Sequence, residues 1–200
     1  MKQKAGGYYE EDMLIRHGES IANAGEATDD HKSIPLSELG LKQAQALALQ
    51  IPKQPDLIVT SPYLRAQQTA MYTIGRFPDA ATGIWDVVHE FVYLAPATCV
   101  GTTSAQRRPR VIDYWRNLDP DYVDGDGAES YRDLIERIQR TLALLKRRPE
   151  EFIVVFTHAQ FIRNFLLVYE NPNLPVEDIW PPSGAAVRSA TADHRGYHDW

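Results

Sequence analysis

The sequence predicts an α/β fold, a sheet covered by helices on both faces. Three observations predict it. Short apolar, β-rich runs alternate with amphipathic helical patterns along the chain. Three of those runs end in a basic or nucleophilic residue, where open α/β sheets present ligand-binding side chains. The chain has 200 residues and is 44% hydrophobic, which suits one compact domain with a sizeable core.

The elements follow in order. Met13-Leu14-Ile15 is a short buried strand ending at Arg16-His17-Gly18. Ser37 to Ile51 is a helix: Leu41, Ala44, Ala48 and Ile51 share a face, and Ser37 is its N-cap. Asp56 to Thr60 is the next strand. Ser61-Pro62 opens a helix to about Phe77, with serine as cap and proline at the first helical position. Ile84 to Phe91 is expected as a third strand. Leu94 to Gly127, with its prolines and Asp-Gly turns, is expected to be irregular.

The clearest helix runs from about Ala128 to Lys146. Tyr131, Leu134, Ile135, Ile138, Leu142 and Leu145 form its apolar stripe, and Glu136 and Arg140 support the wet side at i, i+4. Phe152 to Phe156 is expected as a central strand ending at Thr157-His158, followed by a helix to about Tyr169. Ala185 to Ala192 is a weaker strand pattern, and the last residues are expected to be loose.

Composition narrows the function. The net charge of -6 repels polyanions, and the only dense basic cluster is Arg107, Arg108 and Arg110, so neither a nucleic-acid nor a membrane-surface role is expected. That cluster suits either attraction of an anionic substrate or a solvated loop balanced by Asp119, Asp121, Asp124 and Asp126. Cys99 is the only cysteine, which fits a reducing compartment. No apolar leader occupies Met1 to Asp12, and no apolar run is long enough to span a bilayer, so a cytoplasmic location is expected.

Several signals carry no chemistry. Cys99 has Ala105, not arginine, six residues on, so it is no cysteine-phosphatase loop. Asp124-Gly125-Asp126 follows no apolar strand and is expected to be a solvated turn. No Gly-x-x-x-x-Gly-Lys loop occurs. His194 and His198, flanked by Asp193 and Asp199, suit a polar chain end better than a metal site.

Chemistry concentrates at the strand ends. If the three strands are neighbours, Arg16, His17, Arg65 and His158 converge. Arg65 lies in the first turn of its helix, where the macrodipole already disfavours a cation. A bound anion would resolve that conflict and use free N–H groups of the turn. Two arginines and two histidines suit phosphate better than carboxylate. Arg16 disfavours the imidazolium of His17 and leaves it neutral and nucleophilic, and Gly18 permits close backbone approach. Glu90 is the best candidate general acid for the leaving alkoxide. Asp86 and Glu19 are alternative acids, and Arg16 and Arg65 also suit salt bridges to the abundant carboxylates.

These residues resemble a known family. Leu14-Ile15-Arg16-His17-Gly18-Glu19-Ser20 is similar to the signature of the histidine phosphatase superfamily, which includes the phosphoglycerate mutases. Asn23, Leu36 to Gly40 with Gln43-Ala44, Thr60 to Thr69, His89-Glu90, Gly127 to Ser130 and Thr157-His158 fall at further family motifs. The resemblance implies a three-layer αβα sandwich with a mostly parallel sheet, no metal and no cofactor. It implies that His17 is the phosphorylated nucleophile, that Glu90 is the proton donor, and that Arg16, Asn23, Arg65 and His158 bind the phosphoryl group. Two departures stand out: Ala159 replaces the usual glycine, and Phe91 to Pro96 replaces a Gly-x-Trp-Glu-Gly run.

The expected organisation is one domain over residues 1–200 with a lid-like insertion at about 94–127. The expected activity is metal-independent hydrolysis of a phosphomonoester on a small metabolite or phosphoprotein. A mutase is the first alternative, though the family's mutases tend to be longer. A non-catalytic module that binds a phosphorylated partner is the second. The sequence is silent on substrate identity and oligomeric state.

Overall fold

A computed structural model describes residues 12–179 except 118. The expected strand at Ala185 to Ala192 and the histidines at 194 and 198 lie outside the described residues. The described chain contains β1 (Met13–Arg16), α1 (Glu38–Gln50), β2 (Leu57–Thr60), α2 (Leu64–Arg76), β3 (Ala81–Ile84), α3 (Ser104–Arg116), α4 (Tyr131–Arg147), β4 (Ile153–Thr157), α5 (Ala159–Glu170) and α6 (Val176–Ile179). The strands form one parallel sheet in the order β1-β4-β2-β3. The register places Arg16 beside Thr157 and Phe156 beside Thr60.

Strand alternation builds the three layers. Leu57 and Val59 of β2 and Ile153 and Val155 of β4 pack on one face with Leu134, Ile138, Phe161 and Phe165 of α4 and α5. Ile58, Val154 and Phe156 point to the other face, where they meet Ile51 and Ala70 beside α1 and α2. With both faces covered, β2 and β4 are buried throughout and are apolar except at their last residues, Thr60 and Thr157. The predicted αβα sandwich is therefore the observed one. Every residue of the predicted α4 stripe is buried, and Ser130 caps that helix in a capping box with Asp133. No described helix is long and apolar enough to cross a membrane.

Four expectations change. The third strand lies earlier, at Ala81–Ile84, and Asp86–Val88 forms a 3₁₀ turn instead. The carbonyls of Val87, Val88 and His89 are taken by the side chains of Arg137, Thr141 and Thr157 rather than by a neighbouring strand. The second helix begins at Leu64 with Tyr63 at its cap, and the Ser61 hydroxyl lies before it, against His158 Nε2 and the Tyr63 N–H. The insertion is not irregular: α3 occupies Ser104–Arg116 behind a Thr103/Gln106 capping box. Its Tyr114 and Trp115 pack on Phe91 and Tyr93.

Asp124 is not a solvated turn residue. Its carboxylate accepts the Ala95 N–H at 2.8 Å and pairs with Arg110. That ties the two ends of the insertion together.

Candidate active site

The parallel sheet brings three chain segments to one edge. The His17 N–H donates to the Thr157 carbonyl at 3.0 Å, so the β1–β4 ladder runs one residue past the end of β1. His17 and His158 therefore emerge side by side, with ring centroids 5.2 Å apart. Ser61 follows β2 on the other flank of β4, and its hydroxyl lies 2.8 Å from His158 Nε2. Both histidines are buried, at 7% and 0% exposure.

The hydrogen bonds fix the tautomer of His17. Arg65 Nε lies 3.1 Å from His17 Nε2, and a guanidinium can only donate. Nε2 must therefore carry the lone pair. The proton sits on Nδ1, which donates to the Gly18 carbonyl at 2.7 Å. Burial, then Arg65, then Arg16 depress the pKa of His17 to about 3. His17 is thus a neutral imidazole with its nucleophilic nitrogen aimed at a guanidinium. His158 is also held neutral, by burial first and Arg65 second. Its Nδ1 has no hydrogen-bond partner among the described residues.

Arg65 is almost wholly buried. Its Nη1 donates to the His31 carbonyl at 2.8 Å, and its guanidinium lies 4.9 Å from the Tyr63 ring centre. Burial pulls its pKa down and Glu90 offsets part of that loss. Arg16 ends β1, half-buried beside this charge cluster. Asn23 is placed differently from the others. Its Oδ1 accepts the Ser20 N–H at 3.1 Å and the Ser20 hydroxyl at 2.8 Å, so its carbonyl end closes the turn after the His17 loop.

Glu90 follows the 3₁₀ turn. Its carboxylate accepts the N–H groups of Phe91 at 2.9 Å and Phe161 at 3.2 Å, beside the start of α5. Burial raises its pKa, against the pull of those amides and Arg65. A proton is therefore held more firmly than on an ordinary glutamate. Glu90 and Arg65 line one cavity of about 160 Å³, together with Tyr63, His31, Tyr93 and Arg107.

Two details depart from expectation. Most of the N–H groups foreseen as free at the start of α2 are taken: Tyr63 donates to Ser61 Oγ, Leu64 to the Lys32 carbonyl, and Ala66 and Gln67 to the Tyr63 carbonyl. Gly18 permits a close approach of α1. A methyl there would meet the Gly40 carbonyl at 2.6 Å, and the Gly18 N–H donates to Thr69 Oγ1.

The profile of the histidine phosphatase superfamily (branch 1) matches residues 13–197. The chain belongs to that superfamily. It is 27% identical over 159 residues to a metal-independent phosphoserine phosphatase of Arabidopsis thaliana, covering 78% of this chain and 66% of that protein. It therefore spans just under two thirds of that relative's length. Solved structures agree. Mycobacterial glucosyl-3-phosphoglycerate phosphatase in complex with VO3 has a TM-score of 0.65 at 28% identity, covering 82% of this chain and 81% of that one. A phosphoserine phosphatase variant from Entamoeba histolytica in complex with phosphoserine has a TM-score of 0.58 at 25% identity, covering 81% and 84%.

Within this histidine phosphatase fold, sequence reasoning missed several groups around the site. Tyr63 is 3% exposed and touches the rings of His31, His89 and His158 as well as Arg65. Ser61 and Tyr63 lie inside the Thr60 to Thr69 motif, and both meet His158. The Glu129–Arg137 pair spans eight residues, and Arg137 donates to the carbonyls of Val87 and His89 just before Glu90. A helical pair at i, i+4 was recognisable from sequence; this one starts before the helix and was not.

Proposed function

We propose that this histidine phosphatase hydrolyses phosphomonoesters in two steps through a phosphohistidine at Nε2 of His17. The supporting observation is the fixed tautomer, with Nδ1–H donated to Gly18 and the lone pair of Nε2 facing Arg65. A phosphoryl group entering between them takes the Arg65 donor and meets the nucleophile in one motion.

In the first step Nε2 attacks phosphorus and the P–O ester bond breaks. The leaving oxygen takes a proton from Glu90, whose burial favours the protonated form. The Gly18 carbonyl supports the positive imidazole ring through Nδ1–H. Arg16, Arg65, Asn23 and His158 bind the phosphoryl oxygens, with His158 offering Nδ1 as Ser61 holds Nε2. In the second step Glu90 takes a proton from water, the hydroxide attacks phosphorus, the N–P bond breaks and phosphate leaves. The insertion at 94–127 acts as the lid over the leaving group, and the substrate is a small phosphorylated molecule.

The test is rapid acid-free quenching of a reaction with p-nitrophenyl phosphate. An acid-labile, base-stable phosphoenzyme and stoichiometric phosphate release are expected, both absent in His17→Ala. Steady turnover in His17→Ala would overturn the mechanism. With a phosphorylated diol as substrate, release of the isomerised phosphoester instead of phosphate would assign a mutase.

A further inference from the structure

We propose that Arg107 reads a second anionic group, carboxylate or phosphate, on the leaving alcohol of the substrate. This inference rests on the phosphatase reading above. Glu90 must reach the leaving oxygen, so the alcohol occupies the cavity that Glu90 and Arg65 line. The same cavity is walled by Ile34, Phe91, Tyr93 and Leu94, and Arg107 lies on it too.

The three basic residues of the insertion have different surroundings. Arg110 is engaged by Asp124 and braces the insertion. Arg108 is exposed. Arg107 is half-buried and held in place by neutral groups alone. Its Nη1 donates to the Thr102 carbonyl at 2.7 Å and to Thr102 Oγ1 at 2.9 Å, and its Nη2 reaches Ser104 Oγ at 3.4 Å. Among the described residues no carboxylate forms an ion pair with it, although the exposed Asp29 also borders the cavity. Its Nε–H and the second Nη2 hydrogen have no acceptor among the described residues.

A guanidinium fixed by two Thr102 bonds is already ordered, so little rotamer entropy is lost when an anion arrives. Thr102 is itself braced: the Thr28 N–H reaches its carbonyl at 3.4 Å, and Gly101 N–H donates to the Thr28 carbonyl at 3.0 Å. The positive end of the cavity therefore belongs to a bridge between the insertion and the loop that carries His31. A charge-assisted contact at such a site is worth about 1.5–3 kcal/mol, or roughly 10- to 100-fold in kcat/KM.

The experiment compares phenyl phosphate with carboxyphenyl phosphate, and propyl phosphate with 1,3-propanediol bisphosphate, on wild type, Arg107→Gln and Arg107→Lys. Wild type is expected to favour the anionic member of a pair about 10- to 100-fold, chiefly through KM. Arg107→Gln should abolish that preference while phenyl phosphate turnover stays within about twofold, and Arg107→Lys should keep part of it. Preference in the first pair alone assigns a carboxylate, and in the second alone a phosphate. Turnover of phenyl phosphate with no preference in either pair overturns the Arg107 inference and leaves the phosphatase reading intact. Equal losses on both members in Arg107→Gln also overturn it. Absence of turnover on every substrate in wild type overturns the phosphatase reading itself.

Discussion

Replacing Gly40 with alanine should damage the site from more than one residue away. Gly40 is the third residue of α1, and alanine there would ordinarily stabilise the helix by about 1 kcal/mol. The structure reverses that sign. An added methyl would lie 1.9 Å from the Glu19 carbonyl oxygen and 2.9 Å from its carbon, where real contacts stay above 3.0 Å. Both neighbours are backbone, so no side chain can swing aside. The start of α1 and the His17 loop must separate by about 1 Å, at an overpacking cost of about 1–3 kcal/mol. For a chain of this size that lowers Tm by roughly 2 to 12 °C. The same shift disturbs the Gly18 carbonyl that holds His17 Nδ1, and an error on that scale costs roughly 100-fold in rate. The assay is a thermal melt beside kcat on p-nitrophenyl phosphate. Gly75→Ala serves as control, because nothing lies within 4 Å of its added methyl. A Gly40→Ala protein that melts higher than wild type, as the control should, would refute the reasoning. So would wild-type kcat at a lowered Tm.

Other substitutions separate the remaining roles. Glu90→Gln should slow alkyl phosphate hydrolysis by about 10² to 10⁴ and aryl phosphates much less, since a good leaving group needs little protonation. It should also remove the fall in kcat/KM expected of wild type as pH rises through the raised pKa of Glu90, read from pH–rate profiles. Acid should destabilise the fold through His17. Its pKa is about 3 when folded and about 6.5 when unfolded, so the unfolded chain binds more protons between those values. Stability is then complete above about pH 6.5 and lost as pH falls toward 3, and His17→Asn should flatten that slope in a Tm–pH series. Arg137→Ala should cost about 3–5 kcal/mol in chemical denaturation, because Glu129 loses its buried partner and the carbonyls of Val87 and His89 lose their donor.

The fold was legible wherever one residue pattern answered to one physical demand. The α4 stripe and the uninterrupted apolar core of Phe152 to Phe156 each describe burial on a face or on both, and both elements stand where the pattern put them. The third strand was misplaced because Trp85, Val87 and Val88 are apolar for a different reason: Val88 is buried in a turn whose carbonyls bond side chains. α3 was overlooked because Tyr114 is its only buried residue and Pro109 interrupts it, although the Thr103/Gln106 box was there to see. Among the candidate site residues, the convergence of His17, Arg65 and His158 was legible because each closes or follows a strand. Asn23 was matched by position alone, and its local bonds to Ser20 were invisible to that comparison. Tyr63 and Thr69 act through contacts between distant segments, which no local pattern encodes.

The strand order also constrains how this protein comes into being on the ribosome. The last of the four described strands to be synthesised inserts between the first two, which have no ladder with each other. A nascent chain that stops short of residue 153 can pair β2 with β3 but leaves β1 without a neighbour. Sheet closure and the meeting of the two imidazoles are thus a single late event. The pocket that holds both histidines is therefore complete only when nearly all of the described chain has emerged.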